Sequence, residues 1–223
     1  PFNEQERNDK ARFLEVLDLE NILTRENEEA HVSSSAWVMN DALDQVLMAY
    51  HNIYQSYSWL GGHADGDPDL FAVALREAKE ESGITELTPF SQDILALDIL
   101  PVPAHIKRGK PVKEHEHLNV TYLFIAPTDQ TLTFKADENS AVSWIPIADL
   151  FLVVSEARML SVYEKLIARS RQWKAEALRE KGPRTVIFQK HKECIERTQP
   201  TGCNDETGSY RKCSVTIKII KRY

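Results

Sequence analysis

The chain has 223 residues, 42% of them hydrophobic and 27% charged, with a formal net charge of −7. That is enough chain and apolar content for one globular domain with a real core plus an appendage. No stretch approaches the roughly 18 consecutive apolar residues that a membrane-crossing helix needs, and the opening PFNEQERNDK is too polar to serve as a secretory signal.

Charge and cysteine are both unevenly placed. Residues 1–170 carry 14 Lys and Arg against 28 Asp and Glu, whereas residues 171–223 carry 13 against 6. A basic tail on an acidic body could meet nucleic acid or an acidic partner. Without aromatic residues interleaved for base stacking, folding back on the acidic body or simple solvation is the better expectation. The three cysteines, Cys194, Cys203 and Cys213, all fall in this tail. Their odd number and wide spacing predict reduced thiols, a cytoplasmic location and no structural zinc.

In chain order, the apolar residues Phe13, Leu14, Val16, Leu17, Leu19 and Ile22 recur at helical spacing and predict a helix within residues 3–30. His31–Asn40 and Gln45–His51 read as strands joined through the turn-forming NDALD, hence a hairpin. Tyr57–Leu60 reads as a short strand entering Gly61 and Gly62. A helix is expected over Leu70–Ser82, with Asp67 as N-cap, Pro68 in the first turn and Gly83 as the stop. Further strands are expected at 94–102, 118–126, 131–135 and 141–145, with a polar loop at Lys107–Lys113. A long helix is expected at Ser155–Leu178. Beyond Gly182, RTVIFQK and SVTIKII have strand character, but the chain around them fits no pattern.

The chemically suggestive feature lies on the second helix. Glu77, Glu80 and Glu81 stand at i, i+3 and i+4, so their carboxylates share one face over adjacent turns. Like charges there repel, and a divalent cation reverses the sign of that cost. Hard oxygen ligands suit Mg²⁺ or Mn²⁺. Arg76, four residues before Glu80, can pair with it. Taken alone, the run reads more readily as a solvated acidic helix face.

The surrounding residues decide between these readings. GHADGDPDLFAVALREAKEESGI resembles the Nudix box, G-x5-E-x7-R-E-U-x-E-E-x-G-U with U apolar. Gly62, Arg76, Glu77, Glu80, Glu81, Gly83 and Ile84 fall in register. Chance agreement at the six fixed identities is on the order of 10⁻⁷ at average residue usage. Ala78 fills a slot usually held by a larger aliphatic residue, and Pro68 takes the first Glu slot, flanked by Asp67 and Asp69. The likeness to a Nudix subgroup continues through SSSAWVMN, YSWLGGHADGD, DILPVP and KEHEHLNVTYLF, covers about residues 10–165, and leaves out the tail.

The resemblance implies an α/β/α sandwich with a mixed sheet, hence an α/β chain made of an N-terminal helical segment (1–30), a Nudix hydrolase domain (31–170) and a basic extension (171–223). It implies Mg²⁺-dependent hydrolysis of a diphosphate linkage in a nucleoside diphosphate derivative, with Mn²⁺ as a substitute cation. Glu80 and Glu81 would be the leading metal ligands, Glu77 a further ligand or the base, Arg76 the orienting cation and Gly62 an additional metal contact. Asp137 and Glu138 are candidates for a base from a later loop. His63, His115 and His117 would line the substrate pocket or hold a second metal, or else stand as surface histidines at a strand entrance. Asn119 occupies a position where the subgroup more often has an acidic residue. Trp59 and Trp144 read as packing residues. The resemblance points to a small nucleotide-type partner and to a homodimer as one assembly to test, while the composition argues against a membrane or nucleic acid as partner. A catalytically weak domain that senses nucleotides or binds a partner is the competing reading. A prenyl diphosphate isomerase would need a cysteine near the site, and residues 1–170 contain none.

Overall fold

The computed structural model describes residues 1–107, 109–136 and 139–180; Asp137, Glu138, the three cysteines and the strand-like stretches of the tail lie outside the described residues. In chain order the elements are α1 (Glu4–Val16), β1 (Ala30–Met39), β2 (Gln45–His51), β3 (Ser56–Ser58), β4 (Leu60–His63), α2 (Leu70–Ser82), β5 (Thr88–Pro89), β6 (Ala96–Val102), β7 (His105–Lys107), β8 (Lys110–Val112), β9 (His115–Ile125), β10 (Asn139–Pro146), α3 (Leu150–Val153) and α4 (Ala157–Glu180). No helix among the described residues is long and apolar enough to cross a membrane.

Eight strands make one mixed sheet in the order β10-β2-β1-β9-β5, with β3 added to β2, β4 to β1 and β6 to β9. The central pair, β1 and β9, is parallel and in continuous register from Ala30↔Glu116 to Met39↔Ile125. The other strand pairs of this sheet are antiparallel. Every residue of β1 is buried, as a strand covered on both faces requires. Alternation then sorts its side chains. Val32, Ala36 and Val38 join the core that includes Ala74 and Ala78 of α2, while Trp37 and Met39 join the core that includes Tyr163, Leu166 and Ile167 of α4. Helices therefore cover both faces of the sheet, giving the expected α/β/α sandwich.

Several boundaries depart from the sequence reading, each for a local reason. The first helix ends at Val16, and the chain then turns, with Asn21 in the left-handed region at φ 59°. Residues 17–29 serve as a backbone brace: Ile22 and Leu23 carbonyls accept the N–H groups of Val32 and Gly66. The N-cap of α2 is Asp69, whose side chain accepts the Ala72 N–H at 3.0 Å; Asp67 instead accepts the N–H of Asp69. Residues 131–135 form no strand, because the Thr133 N–H is drawn to the Ser82 carbonyl at the end of α2. The loop expected at 107–113 contains half of a small ribbon, β7 with β8.

α1 is fastened by buried charge. Glu6 takes the Arg169 guanidinium at 2.8 Å, and Lys165 donates to Asp98 at 2.7 Å and stands 3.8 Å from Glu6. Glu6 also accepts the Leu97 N–H, so one cluster joins α1, β6 and α4.

Candidate active site

Gly61 and Gly62 lie on β4, which runs antiparallel to β1 with Ser35↔Gly61, Ser34↔Gly62 and Ser33↔His63. The turn after β4 puts Asp65 and Gly66 in the left-handed region, at φ 47° and 90°, and leads directly into α2. Arg25 clamps that turn through two hydrogen bonds to the Asp65 carboxylate, the longer at 2.8 Å. The helix ends at Gly83, φ 73°, whose N–H bonds the Lys79 carbonyl. Its face toward β4 carries Glu77 and Glu81, one turn apart.

Gly62 makes room for Glu77, and Gly61 for the close approach of β1. A Cβ on Gly62 would stand 2.7 Å from the Glu77 carboxyl carbon, and one on Gly61 would stand 2.6 Å from the Ser34 carbonyl oxygen. Glu81 is only 6% exposed. Its Oε2 accepts the Gly61 N–H at 2.8 Å and its Oε1 accepts the Asn139 amide at 3.3 Å. Arg76 lies 3.7 Å from Glu77 and 3.4 Å from Asp67; it pairs with these and not with Glu80, as the sequence spacing had suggested.

Glu77 and Glu81 reach a cavity of about 590 Å³, which His63, Trp59, Tyr54, Arg25 and Arg158 also line. Glu80 is exposed and is not among the lining residues. Two like-charged carboxylates facing one cavity, Glu81 held by neutral N–H donors and Glu77 by Arg76, fit a hard divalent cation by donor type.

The β1 and β9 register supplies a second wall. His31, Ser33 and Ser35 alternate on one face of β1 and stand beside His117, Asn119 and Thr121 of β9. Asn119 Oδ1 accepts both serine hydroxyls, at 3.0 and 2.8 Å, and its amide donates to Thr121. Asn119 is thus a structural clamp for the strand pair. His63, His115 and His117 do line the cavity, and His31 joins them. Burial pushes the His31 imidazole below its ordinary pKa, even though its bond to the Asn27 carbonyl acts the other way. Neither His31 nor Asn139 was singled out from the sequence. The signal for His31 was its period-two spacing with Ser33 and Ser35, which matches His115, His117 and Asn119. Nothing local marks Asn139, because the packing of α2 against β10 brings it to Glu81.

Trp59 packs edge-on to Tyr163 at 5.6 Å between ring centroids while also lining the cavity; Trp144 packs against the core on the α2 side.

A NUDIX domain model matches residues 29–169. The chain belongs to the Nudix family. As a Nudix hydrolase it acts on acid anhydrides in phosphorus-containing compounds. Among solved structures, the MutT protein from Methanosarcina mazei Go1 is 14% identical over 68% of this chain and 98% of its own, with a TM-score of 0.47. An Ap4A hydrolase binary complex from C. elegans is 20% identical over 65% of this chain and 98% of its own, with a TM-score of 0.42. The NUDIX domain of Shewanella oneidensis NrtR, solved with ADP ribose, is 17% identical over 73% and 98%, with a TM-score of 0.46. Comparison with curated proteins gave no match.

Proposed function

We propose that this Nudix hydrolase cleaves the diphosphate linkage of a nucleoside diphosphate derivative in a Mg²⁺-dependent reaction, with Mn²⁺ able to substitute. The observation that carries the reading is that Glu77 and Glu81 reach one cavity past two glycines. These two carboxylates would hold the cation. When bound, it would neutralise charge developing on the phosphoryl oxygens and make water a better nucleophile.

The chain's own residues do the positioning. The Gly61 N–H and the Asn139 amide fix both oxygens of Glu81, so its direction is set before substrate arrives. Gly62 leaves space for Glu77, and Arg76 holds Glu77 from the outer side. Arg25, Lys113 and Arg158 give the cavity cationic groups for a diphosphate, and Trp59 and Tyr54 offer aromatic faces to a base.

The test is turnover of nucleoside diphosphate sugars, dinucleoside polyphosphates and ADP-ribose by the full chain with Mg²⁺. Hydrolysis of at least one, abolished by chelator and restored by Mg²⁺, is expected. Failure of folded protein to cleave any of them would overturn the proposal.

A further inference from the structure

We propose that His31, His63, His115 and His117 form a transition-metal site of the Zn²⁺ type in the wall of the cavity, separate from the carboxylates of α2. The three strands β1, β4 and β9 bring these imidazoles together. His31 and His117 are register partners on the parallel pair, and His63 stands opposite Ser33. Ring centroids of His31 lie 5.0, 4.9 and 4.9 Å from those of His63, His115 and His117. The ligating atoms of His31, His115 and His117 all fall within 4.8 Å of one another.

The hydrogen bonds define which nitrogens face inward. His31 Nδ1 is 3.1 Å from the Asn27 carbonyl, and His115 Nδ1 is 2.9 Å from the Lys113 carbonyl. A carbonyl only accepts, so in each ring Nδ1 carries the proton and, in the neutral ring, Nε2 presents a lone pair. An imidazole whose second nitrogen donates to a backbone carbonyl is the usual posture of a metal ligand.

The inward nitrogens converge on one another. His117 Nε2 is 3.2 Å from both His63 Nε2 and His115 Nε2. One ring nitrogen offers one proton or one lone pair, so it cannot serve two neighbours fully. His31 is 5% exposed and its Nε2 is buried without a hydrogen-bond partner. Such an orphaned acceptor is costly unless something else satisfies it. A cation bound by the converging lone pairs does so.

Geometry agrees. Metal–nitrogen bonds of about 2.0–2.1 Å in a tetrahedron place the nitrogens about 3.3 Å apart, close to the two 3.2 Å separations. Imidazole donors favour Zn²⁺, Co²⁺, Ni²⁺ and Cu²⁺ over Mg²⁺, so the donor sets of the two walls select different cations.

The experiment is Co²⁺ titration of the chelator-stripped full chain, followed by visible absorption and calorimetry, with Zn²⁺ as competitor. One equivalent of Co²⁺ is expected, with the intense visible bands of a four-coordinate site and no thiolate charge-transfer band, which sets aside the cysteines. The His31→Gln, His117→Gln double variant should lose this binding. Should that pair fail to fold, the His63→Gln variant, altered at a partly exposed ring, should bind more weakly by at least about tenfold, the least that loss of a supporting partner costs. The Glu77→Gln, Glu81→Gln pair should retain the bands, which separates this site from the hydrolytic one. Absence of saturable binding, binding unchanged in the histidine variants, or binding lost in the carboxylate pair would each overturn the proposal.

Discussion

Beneath α1, Glu6, Asp98, Lys165 and Arg169 bury charge by pairing opposite signs at 2.7 to 3.8 Å. On two patches of the cavity wall, ligand capacity is instead gathered by kind: Glu77 and Glu81 come from one helix, and His31, His63, His115 and His117 from three strands. Opposite charges at ion-pair distance compensate each other, so the first cluster is a clamp that fastens helices to the sheet. Like groups drawn together cost free energy until a cation or a charged substrate joins them, so the second is a place for binding. The contrast predicts that damage to the first lowers stability and spares turnover, and that damage to the second does the reverse.

The largest expected effect falls on the clamp. Lys165→Met leaves Asp98 and Glu6 facing a buried space with one cation fewer, at a cost of about 3–5 kcal/mol. Urea unfolding should report that loss, while turnover per folded molecule stays within about twofold; a variant as stable as the parent would show that the cluster is not a clamp. Glu81→Gln, on the other side of the comparison, keeps the shape and the Gly61 contact but halves the carboxylate pair. Turnover should fall by more than about a hundredfold, exceeding the 10–100-fold that loss of a ligand's supporting partner costs, with little change in melting temperature. Gly62→Ala tests the same wall from β4. The new methyl meets the flexible end of Glu77 at 2.7 Å, so the fold tolerates it and the carboxylate moves. A displacement on that scale is worth up to about a hundredfold in rate, and an unchanged rate would mean that the position of Glu77 is immaterial.

Acidity offers a finer probe of the clamp. Burial pushes the Asp98 carboxyl up to about 6, against the pull of Lys165. A carboxyl raised on folding favours the folded state fully below its unfolded value, near pH 4, and that contribution is lost as pH rises through about 6. Glu6 runs the other way. Burial would raise it, but N–H donors at Phe2 and Leu97, with Arg169 and Lys165, leave it lowered, so its contribution is present above its ordinary value and lost on acidification. Denaturant midpoints measured from pH 4 to 7 should therefore carry a downward component that Asp98→Asn removes. A profile identical in the two proteins would sink the assignment.

How much of this was legible in the sequence follows from the range of the interactions. The limits of α2, Leu70–Ser82 with Gly83 as its stop, were readable because a helix is closed by its own neighbours. The shared face of Glu77 and Glu81 was readable for the same reason. The N-cap falls two residues later than the sequence suggests, since Asp67 and Asp69 are chemically equal and only the path of the turn chooses between them. Residues 131–135 have strand composition, yet the Ser82 carbonyl captures their backbone. His31 and Asn139 are not marked locally because their partners lie 86 and 58 residues away, brought close by strand register for His31 and by the packing of α2 against β10 for Asn139.

The smallest expected effect falls on Glu80, and it sharpens the comparison most. The resemblance to the family motif, which treats both as fixed, makes Glu80 and Glu81 the leading ligands. In the structure Glu81 is buried and held by two donors, whereas Glu80 is exposed and not among the cavity-lining residues. A carboxylate in bulk solvent loses little when neutralised, because water already screens it. Glu80→Gln should thus lower turnover by less than about tenfold, well short of the loss in Glu81→Gln, with the Mg²⁺ concentration for half-maximal rate shifted by a similar factor. Equal losses in the two variants would mean that α2 rotates or the cavity closes when cation and substrate bind, bringing Glu80 inward. In that case the exposure of a carboxylate along this helix does not decide its part in the reaction.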